Sequence, residues 1–272
     1  TPHLVRISLI IVRLHSERGT PMRLLGIDCA TKEANVGIAA GTFESGCLLV
    51  DDVRLCTREK SAAITICDWI RSTDGPVLLA IDAPLGWPAA MGPTLSTHSA
   101  GQEITVASNT MFRRATDRFI QQELRKTPLD VGADRIARTA HAALALLGML
   151  RRELGAVIPL AWSADDLLGI SAIEVYPAAT LVAHGFRSTG YKKPAQIEER
   201  RELLVSLGGV ASLRGGVPEM EGNADALDAA ICLVAAADFM AGRALPPPDH
   251  ALSVREGWIW ARPFRRLGAR EA

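Results

Sequence analysis

Four aspartates occupy positions that suit a site for divalent metal ions. Asp28 and Asp82 each follow directly on a short apolar run, as residues at the end of a buried strand do. Asp225 and Asp228 are three residues apart, and therefore share one face, in the first turns of a predicted helix. Carboxylates that converge repel one another and are costly to desolvate, and bound Mg²⁺ or Mn²⁺ removes that cost. Two such ions, roughly 4 Å apart, would activate water and stabilise the leaving oxygen in phosphodiester hydrolysis.

Each of these aspartates also has a purely structural explanation. Asp28 and Asp82 suit turns that follow strands, because a short carboxylate bonds to nearby backbone N–H groups. Asp225 and Asp228 complement the positive end of a helix dipole, and Asn223 is a suitable N-cap. The remainder of that helix is nearly all apolar, which favours the catalytic interpretation. A helix buried against a sheet directs its first turn, and with it these acids, toward one edge of the sheet.

Apolar periodicity predicts an α/β fold with a mixed five-stranded sheet, helices on both faces and a helical insertion at about 85–170. The first three strands are joined by short turns and are expected to be antiparallel. A helix precedes the fourth strand, which can then lie parallel to the first and place Asp82 beside Asp28. The predicted strands are 23–29, 35–40, 47–55, 77–81 and 172–176. The predicted helices are 61–72, 110–124, 134–154, 177–184, 196–207 and 223–240.

Three further charged residues are weaker candidates for the same site. Glu174 is an acid within an apolar strand, and it either binds metal or pairs with an arginine. Arg114 and Arg118 are four residues apart on one predicted helix face, where guanidinium groups suit phosphate oxygens. The alternative for the arginines is a solvated face with an internal ion pair to Asp117.

Two loop segments complete the set of candidates. Lys192 and Lys193 lie in a basic loop beside Tyr191, and we predict that this loop contacts substrate, with the aromatic ring available to stack on a base. Surface position without function is the alternative for that loop. The segment 258–260, Trp-Ile-Trp, offers apolar area for core packing or for a dimer contact, and the sequence does not fix the oligomeric state.

Length and composition place few limits on function. The chain has 272 residues, 48% hydrophobic and 22% charged, which is ordinary for a globular protein. Its 30 basic and 30 acidic residues cancel, so no net field attracts nucleic acid or a membrane. Five scattered cysteines without a C-x-x-C pair indicate a reducing, cytoplasmic setting. Residues 1–21 contain only a short apolar run and are predicted to be an extension outside a single domain at 22–272.

Several motifs, in order along the chain, resemble those of one known family. They are GIDCA at 26–30, IDAPLGWP at 81–88, RRATDR at 113–118, IEVYPAA at 173–179, DALDAAICLVAA at 225–236 and EGWIW at 256–260. The set is similar to the DUF429 family, described as predicted nucleases with a ribonuclease H-like fold, over about residues 22–261. The segment ADALDAAICLVAA also resembles the acidic helix of Holliday-junction resolvases in that superfamily. The resemblance implies metal-site roles for Asp28, Asp82, Asp225 and Asp228.

The leading hypothesis is a metal-dependent nuclease or phosphodiesterase acting on nucleic acid or another phosphodiester. An actin-like or sugar-kinase-like ATP-binding phosphotransferase shares the first strands and an acidic phosphate loop. Such proteins duplicate the domain and need a second glycine-rich phosphate loop, for which residues 150–272 offer no candidate. A third hypothesis is a non-catalytic protein that retains the acids only as caps.

Overall fold

A computed structural model describes residues 21–132, 135–165 and 167–264. Within these residues the strands are β1 (Met22–Asp28), β2 (Gly37–Glu44), β3 (Cys47–Leu55), β4 (Val77–Asp82), β5 (Ile170–Glu174) and β6 (Ser212–Leu213). The helices are α1 (Ala62–Arg71), α2 (Met91–Ser96), α3 (Ser108–Phe112), α4 (Ala115–Leu124), α5 (Ile136–Leu154), α6 (Pro177–Ala183), α7 (Ile197–Leu207), α8 (Val217–Gly222), α9 (Ala224–Met240) and α10 (His250–Glu256). The predicted extension at 1–21 lies, except for Pro21, outside the described residues.

The strands of the described chain form one mixed sheet in the order β5-β4-β1-β2-β3-β6. β1 pairs with β2, and β2 with β3, in antiparallel fashion, as their short connections require. β4 is parallel to both β1 and β5, because α1 and the segment after β4 provide the necessary crossovers. The predicted parallel pairing of the first and fourth strands is therefore confirmed.

Helix α9 packs on one face of the sheet, across β1, β2, β3 and β4. All residues from 226 to 239 are buried, which explains why the sequence of this helix is apolar all round. Two glycines allow the close approach. A Cβ atom on Gly26 in β1 would lie 2.1 Å from the Ala229 carbonyl oxygen, and one on Gly37 in β2 would lie 2.1 Å from the Asp225 carbonyl oxygen.

The opposite face of the sheet is covered by α1 and α5, so helices lie on both faces as predicted. Alternate residues of β1 point to opposite faces: Leu24 belongs to the core under α9, and Leu25 and Ile27 to the core under α1 and α5. None of the described helices combines the length and the apolar character needed to cross a bilayer.

The region between β4 and β5 is helical, with α2, α3, α4 and α5 in sequence. Residues 85–109 show no clear helical period and were not among the predicted helices, yet they contain α2 and the start of α3. The predicted helix at 110–124 is two helices, because the Arg114 backbone leaves helical geometry and its N–H donates to Asp117 Oδ2 at 2.9 Å. Residues 133 and 134, near the start of the predicted helix 134–154, lie outside the described residues.

The last part of the chain contains two elements that were not predicted. The described sheet has six strands and not the predicted five, because Ser212–Leu213, which lies in none of the predicted strands, pairs with β3. Helix α10 was not predicted. Trp258 and Trp260 are 2% and 4% exposed and belong to the core under α9, which confirms the core-packing alternative for this segment and not the dimer contact.

Candidate active site

Asp28 and Asp82 lie side by side at the carboxyl ends of β1 and β4. The parallel register pairs Asp28 with Asp82 directly, after pairing Ile27 with Ile81. Ile27 and Ile81 face α1 and α5, so the aspartates that follow them point to the other face, the one covered by α9. The strands therefore present two half-buried carboxylates to the first turn of that helix.

The start of α9 brings Asp225 against the same strand ends. Asn223 caps the helix, and its side-chain oxygen accepts hydrogen bonds from the N–H groups of Asp225 at 2.7 Å and Ala226 at 3.3 Å. Gly37, which touches the Asp225 backbone, is the β2 partner of Asp28. This backbone contact places Asp225 beside the β2 residue that pairs with Asp28.

The pKa values of these carboxylates show how crowded they are. Burial raises the pKa of Asp28 well above its usual range, and the negative charges of Asp82 and Asp225 raise it further. Burial raises the pKa of Asp82 to about 7, with a further contribution from Glu174. Burial also raises the pKa of Asp225. For all three groups, the positive charge of Lys192 opposes the rise in pKa.

Asp228 lies one helical turn after Asp225 and is fully buried. Its Oδ1 accepts a hydrogen bond from the Tyr191 hydroxyl at 2.8 Å, and its Oδ2 contacts the Lys192 ammonium. That Oδ2 accepts no hydrogen bond of regular geometry from the described residues. Tyr191 is itself fully buried, so the expectation that its ring stacks on a base was wrong.

A buried arginine fixes the loop that carries Tyr191 and Lys192. Arg200 on α7 is 1% exposed and donates to the carbonyl oxygens of Tyr191 at 2.8 Å, Lys193 at 2.9 Å and Pro194 at 3.2 Å. It also donates to the Glu221 carbonyl oxygen at 2.7 Å, just before α9 begins. Arg200 therefore ties the lysine loop to the start of the acid-bearing helix, a role that the sequence pattern did not reveal. The available signal was its spacing, since Arg200 lies three, four and seven residues before the buried leucines of the same helix, Leu203, Leu204 and Leu207.

A cavity of about 250 Å³ opens over the strand-end acids. Asp28 and Asp82 form its acidic side, while Cys29, Pro84 and Leu129 are among its other lining residues. Among the residues that the structure describes, no three His, Cys, Asp or Glu side chains converge closely enough to hold a metal ion. Metal binding would therefore require the carboxylates to turn toward one another.

Comparison with known proteins shows the family of the chain. The family model described as "Protein of unknown function (DUF429)" matches residues 26–252, which is more than half of the sequence. The chain belongs to the DUF429 family. The match includes all four aspartates and the loop of Tyr191 and Lys192. No curated protein matches the chain.

In this DUF429 chain Glu174 pairs with an arginine, the second of its two predicted alternatives. Arg114 donates to Glu174 Oε1 at 2.7 Å and Oε2 at 2.8 Å, and to Asp117 Oδ1 at 2.9 Å. The Leu85 N–H donates to Glu174 Oε2 at 2.9 Å as well. Both oxygens of Glu174 accept hydrogen bonds, which favours the ion pair over its predicted role as a metal ligand, although Glu174 and the 1%-exposed Arg114 also line the cavity over Asp28 and Asp82.

The other predicted substrate contacts lie apart from the acids in the DUF429 structure. Arg118 is exposed, and its guanidinium donates to the Arg113 carbonyl oxygen at 2.8 Å. Lys193 is exposed, and its described contacts are made by its backbone. Of the predicted basic residues, Lys192 is the one that the structure brings into contact with the acidic cluster, by which we mean Asp28, Asp82, Asp225 and Asp228.

Proposed function

We propose that this DUF429 protein is a metal-dependent phosphodiesterase of the ribonuclease H-like superfamily, with nucleic acid as the expected substrate. Asp28, Asp82, Asp225 and Asp228 would hold two Mg²⁺ or Mn²⁺ ions. The observation that carries the proposal is the direct pairing of Asp28 with Asp82 at the ends of parallel strands, facing the first turns of an acidic helix. Open α/β sheets place their ligands at this edge.

The donor set fits hard divalent cations. Carboxylate oxygens are the ligands that Mg²⁺ prefers, and three of the four acids have pKa values raised by burial, so the cluster favours added positive charge. Asp228 Oδ2 is buried, and its described partner is the ammonium of Lys192, a cation whose place a metal ion could take. Glu174 is left out of the proposed metal set because Arg114 neutralises it.

When bound, the cations would activate water and stabilise the leaving oxygen of a phosphodiester. The chain's own residues would position that reaction. β1 and β4 hold Asp28 and Asp82 at a fixed separation, while Asn223 and Arg200 fix the helix and loop that carry the remaining charges. The cavity over Asp28 and Asp82 would receive the phosphodiester, and its Pro84 and Leu129 side would limit access of bulk water.

The test is cleavage of a panel of single-stranded and structured DNA and RNA, with bis(p-nitrophenyl) phosphate as a small phosphodiester. We expect cleavage with Mg²⁺ or Mn²⁺, none with EDTA, and a loss of more than about 100-fold in Asp28→Asn, since even outer-shell partners of a metal cost up to that much. Asp74→Asn, which removes an exposed acid before the start of β4 and so at the opposite end of that strand from Asp82, is the matched control.

Activity that survives Asp28→Asn or EDTA contradicts the proposal. Metal-independent affinity for ATP would favour the actin-like alternative. A folded protein that binds neither Mn²⁺ nor ATP and cleaves none of these substrates would favour the non-catalytic one.

A further inference from the structure

Lys192 reaches a fully buried carboxylate from an exposed position. Its side chain is 55% exposed, whereas the Asp228 side chain that its ammonium contacts is 0% exposed. The ammonium also lies over the ring of Tyr191, at 5.4 Å from the ring centroid. The lysine thus extends from the protein surface inward along the tyrosine that anchors the other oxygen of Asp228.

The charge of Lys192 acts on the whole acidic cluster. It opposes the rise in pKa of Asp28, Asp82 and Asp225, in addition to its contact with Asp228. A single ammonium therefore contacts one carboxylate and acts electrostatically on three others. Positive charge at this point is what the proposed metal ions would also supply, so the lysine and the ions would compete for the same carboxylates.

The position of Lys192 is fixed by the fold. Tyr191 and Arg200 are both fully buried, and Arg200 binds the carbonyl oxygens of Tyr191 and Lys193 on either side of the lysine. The backbone is thus held while the four-carbon side chain remains free to turn. An ammonium on such a stem can leave the carboxylates without any movement of the sheet or of α9.

We propose that Lys192 is the resident counter-ion of the carboxylate cluster and competes with divalent cations for it. This inference rests on the proposed function. In the metal-free protein the lysine holds Asp228 and limits repulsion among the acids. Metal binding displaces the ammonium toward solvent, at the mouth of the site, where it is available to a phosphate of the substrate.

The test measures Mn²⁺ binding by titration calorimetry in the full chain, with Lys192→Met and Lys193→Met compared. Both variants remove one positive charge from the same loop, but only Lys192 contacts the cluster. We expect Lys192→Met to bind Mn²⁺ at least about fivefold more tightly, which is the effect of one unit charge on another at about 4 Å even in bulk water. Lys193→Met should bind as the unchanged protein does. Metal-free Lys192→Met should also melt at a lower temperature, and Mn²⁺ should raise its melting temperature by more.

A second measurement needs no variant and so does not depend on folding of Lys192→Met. Acetylation of the unchanged protein, followed by mass spectrometry, should show that Mn²⁺ raises the reaction rate of Lys192 and leaves that of Lys193 unchanged. Suppose that the unchanged protein binds Mn²⁺. If Lys192→Met then binds Mn²⁺ equally or more weakly, or if Mn²⁺ does not change the acetylation rate of Lys192, the counter-ion role is overturned and the proposed function still stands. If none of the proteins binds Mn²⁺, the proposed function fails and this inference fails with it.

Discussion

Two groups of buried carboxylates in this chain differ in whether an arginine accompanies them. Glu174 and Asp117 share the guanidinium of Arg114, which forms two hydrogen bonds to Glu174 and two to Asp117. Asp28 and Asp82 lie beside each other, and the positive charge of Lys192 offsets only part of the rise in their pKa values. The first group is a closed structural network that links β5 to α4, whereas the second has unused capacity for cations.

We predict that Arg114→Met destabilises the protein by about 3–5 kcal/mol, because it leaves two buried carboxylates without their partner. The free energy of unfolding in urea measures this. Arg118→Met, four residues along the same segment but exposed, should change it by less than about 0.5 kcal/mol. Equal effects of the two substitutions would contradict the structural role assigned to Arg114.

At the level of single residues, the sequence predicted the strand-end acids, but it gave the ion pairs of Arg114 with Asp117 and of Glu174 with an arginine only as alternatives. The meeting of Asp28 and Asp82 was predictable because parallel strands have their carboxyl ends at the same edge of the sheet, and each aspartate follows a buried strand. The pairing of Glu174 with Arg114 depends on how α4 packs beside β5, which local sequence does not specify. Tyr191 was expected at the surface because two lysines follow it. Its hydroxyl instead donates to the buried Asp228.

Among the elements, α9 determines the site through its distance from the sheet. Gly26 and Gly37 allow the helix backbone to touch β1 and β2, and the second of these contacts is with Asp225 itself. A side chain at either glycine would meet a backbone oxygen, which cannot turn away as a side chain does. The position of Asp225 relative to Asp28 therefore depends on the absence of a single methyl group.

We predict that Gly37→Ala lowers the free energy of unfolding by about 1–3 kcal/mol through overpacking and weakens Mn²⁺ binding by displacing Asp225. Urea denaturation and titration calorimetry measure the two effects. Gly92→Ala is the control, because no heavy atom lies within 4 Å of its added Cβ. Unchanged Mn²⁺ affinity in a folded Gly37→Ala protein would show that Asp225 does not take part in binding.

Apolar periodicity predicted the longer helices and strands, which contain many apolar residues, and missed the short elements. The buried strand β4 and the apolar helix α9 follow from runs of apolar residues, and both were predicted within a residue at each end. β6 has two residues, too few for an alternating pattern to appear. α3 and α4 are separate helices because Arg114 is the N-cap of α4, and its N–H bonds to the Asp117 side chain. The sequence pattern alone predicted one continuous helix there.

For the molecule as a whole, the acidic cluster makes stability depend on pH in an uncommon direction. An aspartate in the unfolded chain has a pKa of about 3.9. Burial raises the pKa of Asp82 to about 7 in the folded protein, and that of Asp28 is raised as well. Between these pKa values the folded state binds protons that the unfolded state has lost, so the free energy of unfolding falls as pH rises.

We predict that the metal-free protein is more stable in urea at pH 5 than at pH 8. Each group contributes at most about 1.4 kcal/mol for every pH unit between its unfolded and its folded pKa. Asp82→Asn should reduce this dependence, and Mn²⁺ should offset it at pH 8. Burial would raise the pKa of Asp238, but hydrogen bonds from His184 and Arg243 lower it below its usual range, so it titrates below the tested window. Stability that rises from pH 5 to pH 8 in EDTA would contradict the crowding of Asp28 and Asp82.

The cover of the sheet by α9 has a consequence for biosynthesis. β1 to β4 and their apolar faces leave the ribosome long before the segment 224–240 that packs on them. During that interval one side of the hairpins has no helix above it, and the nascent chain is exposed to aggregation and to chaperones. The carboxylates of the strands meet those of the helix only when this delay ends.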